Sequence, residues 1–372
     1  MLPAIETPEI RNPEPTPLAS HLALPTVAAQ GVLTPFSLDA PDTETEALLH
    51  GTAIHDLGWL RLIEIRGEDR ERWLSGMVTN MVEALPSGAG AYNLVLNAQG
   101  RIQGDATIWR ITDRLWLETS ASQAPVLAAH FDHFIIMDDV ELLPPDAHSP
   151  DSALGLTGPG AEPLLASLGL KAPALPEGES QSCVELCFSG FPIRIHRLYS
   201  PITPQFALWA PSAHIPALWD RLHAAGATPV GYQAIESLRI LSGVPLYGTD
   251  IESRDLPQET SQTRALHFAK GCYLGQEIVE RIRSRGQVHR HLRQLELTLN
   301  PGTPLPSSGT ELRKPGAADD SKPAAILSSV TQLPDGRAFA LAVVRAEAEI
   351  GNPTLLFSTG SARVLSGPPK LS

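Results

Sequence analysis

The order of predicted strands and helices repeats within the chain, and this repeat limits the possible folds more than any other feature. The alternating segment LRLIEIRG at residues 60–67 predicts a strand, and EDRERWLSGMV after it places Trp73, Leu74 and Met77 on one helical face. Three strand-like runs, YNLVLN, DATIWRI and LWLET, precede a predicted helix at about residues 123–134 and a strand near Val140. The predicted order is strand, helix, three strands, helix, strand.

The same order begins again at residue 153 with ALGLTG. Strands are predicted at CVELCF, IRIHRL and FALWA, between helices at about residues 161–168 and 215–225. A further helix in YQAIESLRILSG ends at Gly243, a typical left-handed cap. After Gly286, short strands separated by Pro, Gly and Asp predict a small all-β module. We therefore predict an α+β fold with two similar halves, residues 45–148 and 149–288, and a C-terminal module over residues 289–372.

The first 44 residues lack this order. Eight prolines lie among scattered acids without an apolar period, so this segment is predicted to be disordered and dispensable for folding. It matches neither a secretory signal nor an Arg-rich transit peptide. The longest purely apolar run, residues 338–344, is far shorter than the roughly twenty residues that a membrane helix needs.

The composition argues against nucleic acid and membranes as partners. The 372 residues contain 41 acidic side chains against 28 Lys plus Arg, a formal charge of −13. Five arginines between residues 281 and 293 are either a solvated basic strand or an anion site. Three cysteines cannot all pair, which fits a reducing compartment and a cytoplasmic protein.

Several familiar motifs do not apply. GLTGPGAEPLL has three glycines, but their spacing is neither that of a dinucleotide-binding turn nor that of a P-loop. Cys183 with Cys187, and His130 with His133, lack a second pair at a metal-site spacing. We therefore predict no metal site.

The segment KGCYLGQE, residues 270–277, concentrates the chemically active side chains. A helix that begins near Gly275 would place Cys272 just before its N-terminus, where free amide hydrogens, the helix dipole and Lys270 favour a thiolate. Glu277 and Arg281 are four residues apart and could pair along that helix. From the residues alone, Cys272 is either a functional thiol or a small cysteine buried beside Tyr273 in a glycine turn.

The longer segment KGCYLGQEIVERIRSRGQVHR resembles the signature of the YgfZ-type folate-binding proteins, which include a mitochondrial iron–sulfur cluster assembly factor. These proteins are similar to the T-protein of the glycine cleavage system, a folate-dependent aminomethyltransferase. GEDRERWLSGMVTN, YNLVLNAQGRIQGD and SLRILSGVPLYGTDI resemble the family's first helix, its folate-cavity hairpin and the stretch before the signature. The resemblance spans the chain from about residue 52 to its end.

The resemblance implies two ferredoxin-like halves around a central folate cavity, followed by a small β-barrel. It implies tetrahydrofolate or a one-carbon derivative as the cofactor, with Cys272 and Asp105 as catalytic candidates. The implied cofactor-binding residues are Asn97, Gly100, Arg101, Asp105, Arg239, Lys270, Gly271, Tyr273, Gly275, Gln276, Glu277 and Arg281. Arg101 and Arg281 are the candidates for the anionic folate tail. Iron–sulfur enzymes or assembly proteins are the expected transient partners.

The chain departs from the aminomethyltransferase pattern at charged positions. The typical G-G-I-x-D-D hairpin is GRIQGD here, with Gly104 in place of one acid. Ile235 and Leu241 stand where the family's helix has an arginine and a glutamate, and Ala207 replaces a third acid. We therefore expect a tetrahydrofolate-binding protein that supports iron–sulfur cluster assembly or repair. A folate-dependent one-carbon transferase and a folate-free docking scaffold are the alternatives.

Overall fold

Four β-sheets with short helices make up the described part of the chain. The computed structural model describes residues 12–144, 151–179, 181–286, 288–318, 321–351 and 354–371. Within these ranges, no helix is both long and apolar enough to span a membrane.

The N-terminal segment is folded from residue 12 onward, so the prediction of disorder is wrong for residues 12–44, while residues 1–11 lie outside the described ranges. Leu18 is fully buried in the core of the second half. The Thr16 and Thr34 hydroxyls donate to Asp56 Oδ2 at 2.5 and 2.9 Å. These partners are distant in sequence, so no local hydrophobic period predicts that Thr16, Leu18 and Thr34 are buried. The elements are β1 (Glu14–Pro15), α1 (Pro17–Leu22), β2 (Thr26–Ala29), β3 (Val32–Pro35) and α2 (Pro41–Leu49).

The first half has the predicted order of elements. Its sheet is five-stranded with the order β6-β7-β8-β5-β9, and α3 and α4 pack their apolar side chains against it. The strand before it, β4, belongs to another sheet. The elements are β4 (Ala53–Asp56), β5 (Leu60–Arg66), α3 (Arg70–Ser75), β6 (Gly90–Leu96), β7 (Ile102–Arg110), β8 (Leu115–Ser120), α4 (Ala124–Asp132) and β9 (Glu141–Leu143).

The second half repeats this arrangement but includes a strand from the N-terminal side. Its six-stranded sheet has the order β11-β12-β13-β10-β4-β14, with β4 antiparallel to β10. The sequence had assigned residues 53–56 to the first half, which is wrong for this strand. The elements are β10 (Asp151–Thr157), α5 (Ala161–Ser167), β11 (Ser182–Phe188), β12 (Phe191–Arg197), β13 (Gln205–Pro211), α6 (Ile215–Ala224), β14 (Thr228–Pro229) and α7 (Tyr232–Leu241).

The C-terminal module is the predicted β-barrel. Its strands have the order β16-β17-β18-β15-β20-β19, and a bridge between Arg313 and Leu356 nearly closes the sheet. The α+β class is thereby confirmed. Helix α8 (Gln276–Arg285) precedes this module. The elements of the module are β15 (Arg290–Leu299), β16 (Glu311–Leu312), β17 (Ala325–Gln332), β18 (Ala338–Arg345), α9 (Ala346–Glu349), β19 (Leu355–Phe357) and β20 (Gly360–Val364).

Candidate functional site

The ammonium group of Lys270 attaches the signature segment to the first half. Its Nζ donates to the carbonyl oxygens of Ser75, Val78 and Asn80 at 2.7, 2.6 and 2.7 Å. The side chain is buried, and burial lowers the Lys270 pKa to about 8. All three ammonium hydrogens are used by the protein, so the geometry makes Lys270 a positioning residue and leaves no hydrogen for a cofactor.

Two glycines let the signature turn approach the hairpin between β6 and β7. Gly275 and Gly100 have φ angles of +81° and +70°. A Cβ on Gly275 would lie 2.6 Å from the Asn97 carbonyl oxygen, and one on Gly100 would lie 2.7 Å from Ile278 Cβ. Asn97 Oδ1 accepts from the Arg101 amide at 3.0 Å and shapes the hairpin turn. Gly100, Gly275 and Asn97 thus hold the two segments together.

Backbone hydrogen bonds and one aromatic side chain fix the rest of the segment. The Leu274 amide donates to the Gly76 carbonyl oxygen at 2.9 Å. Tyr273 is buried in the core between β6, β7 and the barrel, and its amide donates to Gln276 Oε1 at 3.3 Å. Gly271 is exposed with open space around it. These contacts give Tyr273 and Gln276 structural roles.

Cys272 is exposed, four residues before the first residue of α8. The interpretation as a buried structural cysteine is therefore wrong. Glu277 and Arg281 are exposed on α8, and no ion pair within 4.0 Å joins these two described side chains. Cys183 differs from Cys272 in being buried, and burial raises the pKa of Cys183 to about 12.

Asp105 lies in β7 with its carboxylate enclosed by hydrogen-bond donors. The Tyr92 hydroxyl donates to Oδ2 at 2.6 Å and Gln123 Nε2 donates to Oδ1 at 2.9 Å. Burial raises the pKa of Asp105 although both donors oppose that rise. A Cβ on Gly104 would meet Gln123 Oε1 at 2.9 Å, so the Gln123 amide takes space next to the position where the family pattern has a second acid.

Tyr92 connects Asp105 to a cavity of about 490 Å³ that Arg264 also lines. The Arg264 guanidinium carbon is 4.0 Å from the Tyr92 ring centroid and 4.2 Å from that of Tyr199. No carboxylate of a described residue lies within 4.0 Å of this guanidinium. Burial lowers the Arg264 pKa, as expected for a desolvated cation. The cavity therefore combines an aromatic face with a guanidinium that makes no direct ion pair with a described residue and that the Asp105 carboxylate attracts at longer range.

The other predicted arginines do not line this cavity. Arg239 donates to Glu236, Val244, Asp250 and Ser329 through all three nitrogens, so it links α7 to β17. Arg101 Nη1 donates to the Arg254 carbonyl oxygen at 2.5 Å near the surface. Arg239 is thus occupied by the protein, and Arg101 and Arg281 lie outside the group formed by Asp105, Tyr92 and Arg264.

Sequence reasoning missed Tyr92, Gln123, Tyr199 and Arg264. YNLVLN predicts a strand, and nothing local distinguishes Tyr92 from a core aromatic. Arg264 follows a turn in which a single arginine is unremarkable. Within the described ranges, no group of three or more His, Cys, Asp or Glu side chains could hold a metal ion.

Known proteins resemble this chain in sequence and in fold. Residues 32–270 match the family model described as the GCVT N-terminal domain. An aminomethyltransferase of Rubrobacter xylanophilus is 29% identical over 317 residues, covering 84% of this chain and 81% of that protein. One from Herpetosiphon aurantiacus is 28% identical over 264 residues, covering 68% and 70%. The glycine cleavage system aminomethyltransferase T from Bartonella henselae shares the fold, with a TM-score of 0.79, 19% identity and coverage of 96% and 98%.

The contact between Gly275 and the hairpin predicts that Gly275→Ala is destabilising. The new Cβ would meet the Asn97 carbonyl oxygen in a left-handed backbone conformation. We expect the free energy of unfolding to fall by about 2 kcal/mol or more. Gly271→Ala is the matched control, because no atom lies within 4 Å of its new Cβ. Equal stability of the two variants in urea unfolding would contradict this assignment.

The buried ammonium predicts an unusual pH dependence. Because burial lowers the Lys270 pKa from 10.5 to about 8, the unfolded chain holds this proton over pH 8–10.5 while the folded protein does not. The Lys270 contribution to the unfolding free energy should therefore rise with pH in that window, by at most about 1.4 kcal/mol per pH unit. Unfolding curves of the wild type and Lys270→Met should diverge there, whereas exposed Lys171→Met should follow the wild type. Parallel pH profiles for Lys270→Met and the wild type would refute the shift.

Proposed function

The chain belongs to the GCVT N-terminal domain family, and from this premise we propose that it binds tetrahydrofolate and supports iron–sulfur enzymes as a YgfZ-type protein. One observation carries the folate part of the proposal. A buried carboxyl group, Asp105, is joined through the Tyr92 hydroxyl to a cavity that contains the Arg264 guanidinium, stacked on the Tyr92 ring.

The residues around this cavity fit such a ligand. A reduced folate has a flat heterocycle with N–H groups on its edge and an anionic glutamate tail. The Tyr92 ring offers an aromatic face, and the Gln181 side chain brings a hydrogen-bonding amide to the same cavity. The Arg264 guanidinium already stacks on the Tyr92 ring, so this ring face accepts a flat, delocalised group. Tetrahydrofolate, when bound, supplies nitrogen atoms that carry one-carbon units.

The surroundings of Asp105 bear on any chemistry of the bound folate. Burial raises the pKa of Asp105 above the ordinary aspartate range, which is the direction that suits a general acid or base. This observation supports the alternative that the protein is a one-carbon transferase. A folate-free scaffold is the third candidate, and its acidic surface is the feature that favours it.

Aminomethyl transfer at normal enzyme rates is not expected. Ala207 and Ile235 lie in an apolar cluster with Trp59 and Trp209. Leu241 is buried in the core near Tyr273. Apolar packing has therefore replaced these charges of the family pattern.

The exposed thiol supports the second part of the proposal. Cys272 is held in place by Lys270 and Gly275 on either side yet remains open to solvent. A single cysteine lacks the four ligands that iron–sulfur clusters usually have. We propose that it acts through transient sulfur or redox chemistry with partner iron–sulfur enzymes or assembly proteins in the cytoplasm.

Calorimetry with tetrahydrofolate tests the folate site. We expect saturable binding that weakens roughly ten-fold or more in Asp105→Asn, because a carboxylate hydrogen bond is worth about 1.5–3 kcal/mol. Asp113→Asn, in the exposed turn after β7, is the control that should bind as the wild type does. Absence of binding to the wild type at millimolar tetrahydrofolate would leave the scaffold as the better interpretation.

A cysteine exchange tests the iron–sulfur role separately. Cys272→Ser should fold with wild-type stability, because its side chain packs against nothing that the fold needs, but should fail to restore iron–sulfur enzyme activities in cells that lack the protein. Cys187→Ser, also at an exposed thiol, should restore them. In the folded wild type, iodoacetamide should modify Cys272 while buried Cys183 reacts only after unfolding. Full complementation by Cys272→Ser would remove the thiol from the function.

A further inference from the structure

Arg264 is a buried cation that stacks on two aromatic rings and makes no direct ion pair with a described residue, although the Asp105 carboxylate acts on it at longer range. Its guanidinium lies between Tyr92 and Tyr199, and its Nε donates to Gln262 Oε1 at 3.2 Å. Desolvating a charge without a directly paired carboxylate is costly, and two cation–π contacts with the longer-range attraction of Asp105 offset only part of that cost. A ligand could therefore displace the Arg264 guanidinium from between the two rings.

The same side chain separates two cavities. Arg264 and Tyr92 line the cavity of about 490 Å³. Tyr199 and Gln262 line a second one of about 780 Å³, which extends to the barrel. The guanidinium contacts one ring from each lining, so it lies where the two cavities approach each other. A ligand that entered between the rings would join the two spaces.

The space between the rings suits a flat group. A guanidinium is planar and stacks on aromatic faces much as a heterocycle does. Tyr92 is held in place by its hydrogen bond to Asp105, which does not involve Arg264. The Tyr92 ring is one wall of this space between the two rings, which we call the slot. That wall therefore stays in position when the guanidinium leaves.

An alternative partner for Arg264 lies in the smaller cavity. Glu179 lines that cavity, and its carboxylate makes no ion pair with any described residue. Burial raises the Glu179 pKa, which is typical of a carboxylate without a cation beside it. One cavity thus contains an unpaired guanidinium and an unpaired carboxylate.

We propose that Arg264 is a specificity-determining residue. In the free protein its guanidinium occupies the space between Tyr92 and Tyr199 where the ligand's flat heterocycle binds. When the heterocycle enters, the guanidinium turns to Glu179. This inference rests on the proposed folate function and extends it. Aliphatic anions cannot restore the stacking that Arg264 gives up. The slot therefore selects aromatic heterocycles over other anions of similar charge.

Calorimetry on a pair of variants tests this exchange. Glu179→Gln should weaken tetrahydrofolate binding roughly three- to tenfold, because the displaced guanidinium loses its partner. Arg264→Ala should tighten binding by a similar factor, and Glu179→Gln should have no further effect in that background. Glu177→Gln, exposed in the same loop, is the control. Weaker binding by Arg264→Ala, or an equal effect of Glu179→Gln in both backgrounds, would overturn the exchange.

Nuclear magnetic resonance of arginine-labelled protein separates this inference from the folate proposal. In the free wild type, the Arg264 Nε–H signal, assigned by its loss in Arg264→Ala, should carry a ring-current shift from the two tyrosines. Saturation with tetrahydrofolate should abolish that shift, and a shift that persists in the complex refutes the exchange while the folate site stands. If calorimetry detects no tetrahydrofolate binding, the folate proposal fails. Free pterin then tests the slot alone, and an unchanged Arg264 signal overturns the exchange.

Discussion

The three hydrogen bonds of the Lys270 ammonium are the constraint on which the candidate site depends. They tie the signature segment to the loop after α3, two parts of the chain that are almost two hundred residues apart. An ammonium can satisfy three carbonyl oxygens that converge on one point, whereas a planar guanidinium cannot donate to them with the same geometry. The position of Cys272, two residues later, follows from this attachment.

The thiol and the acid share one rigid frame. Gly275 touches the hairpin between β6 and β7, and Asp105 lies on β7 close after that hairpin. The signature turn therefore rests on the same strands that carry Asp105 and Tyr92. The β6–β7 hairpin positions both groups, so the exposed thiol and the buried carboxyl group keep a fixed position relative to each other.

The sequence predicted the regular parts of this protein better than its contacts. Alternation and helical spacing located the two halves and the barrel, because one apolar face is enough to indicate a strand or helix. The N-terminal segment was missed since Leu18 and Thr16 find their partners far along the chain. The family resemblance identified Lys270 and Arg239 as candidate binding residues but not their partners. In the structure, both side chains donate their hydrogen bonds to other groups of the protein. Arg264 gave no local signal, because its role depends on two tyrosines from separate strands and loops.

The place of β4 in the second sheet has a consequence for the order of folding. During synthesis β4 leaves the ribosome well before β10, the strand with which it pairs, and the whole first half emerges in between. The first half can complete its own sheet without waiting, since all five of its strands are adjacent in sequence. The second sheet closes only after a long-range pairing, the slow kind of step in folding. Until then β4 presents unpaired backbone groups, so the nascent chain is most exposed to mispairing at that stage.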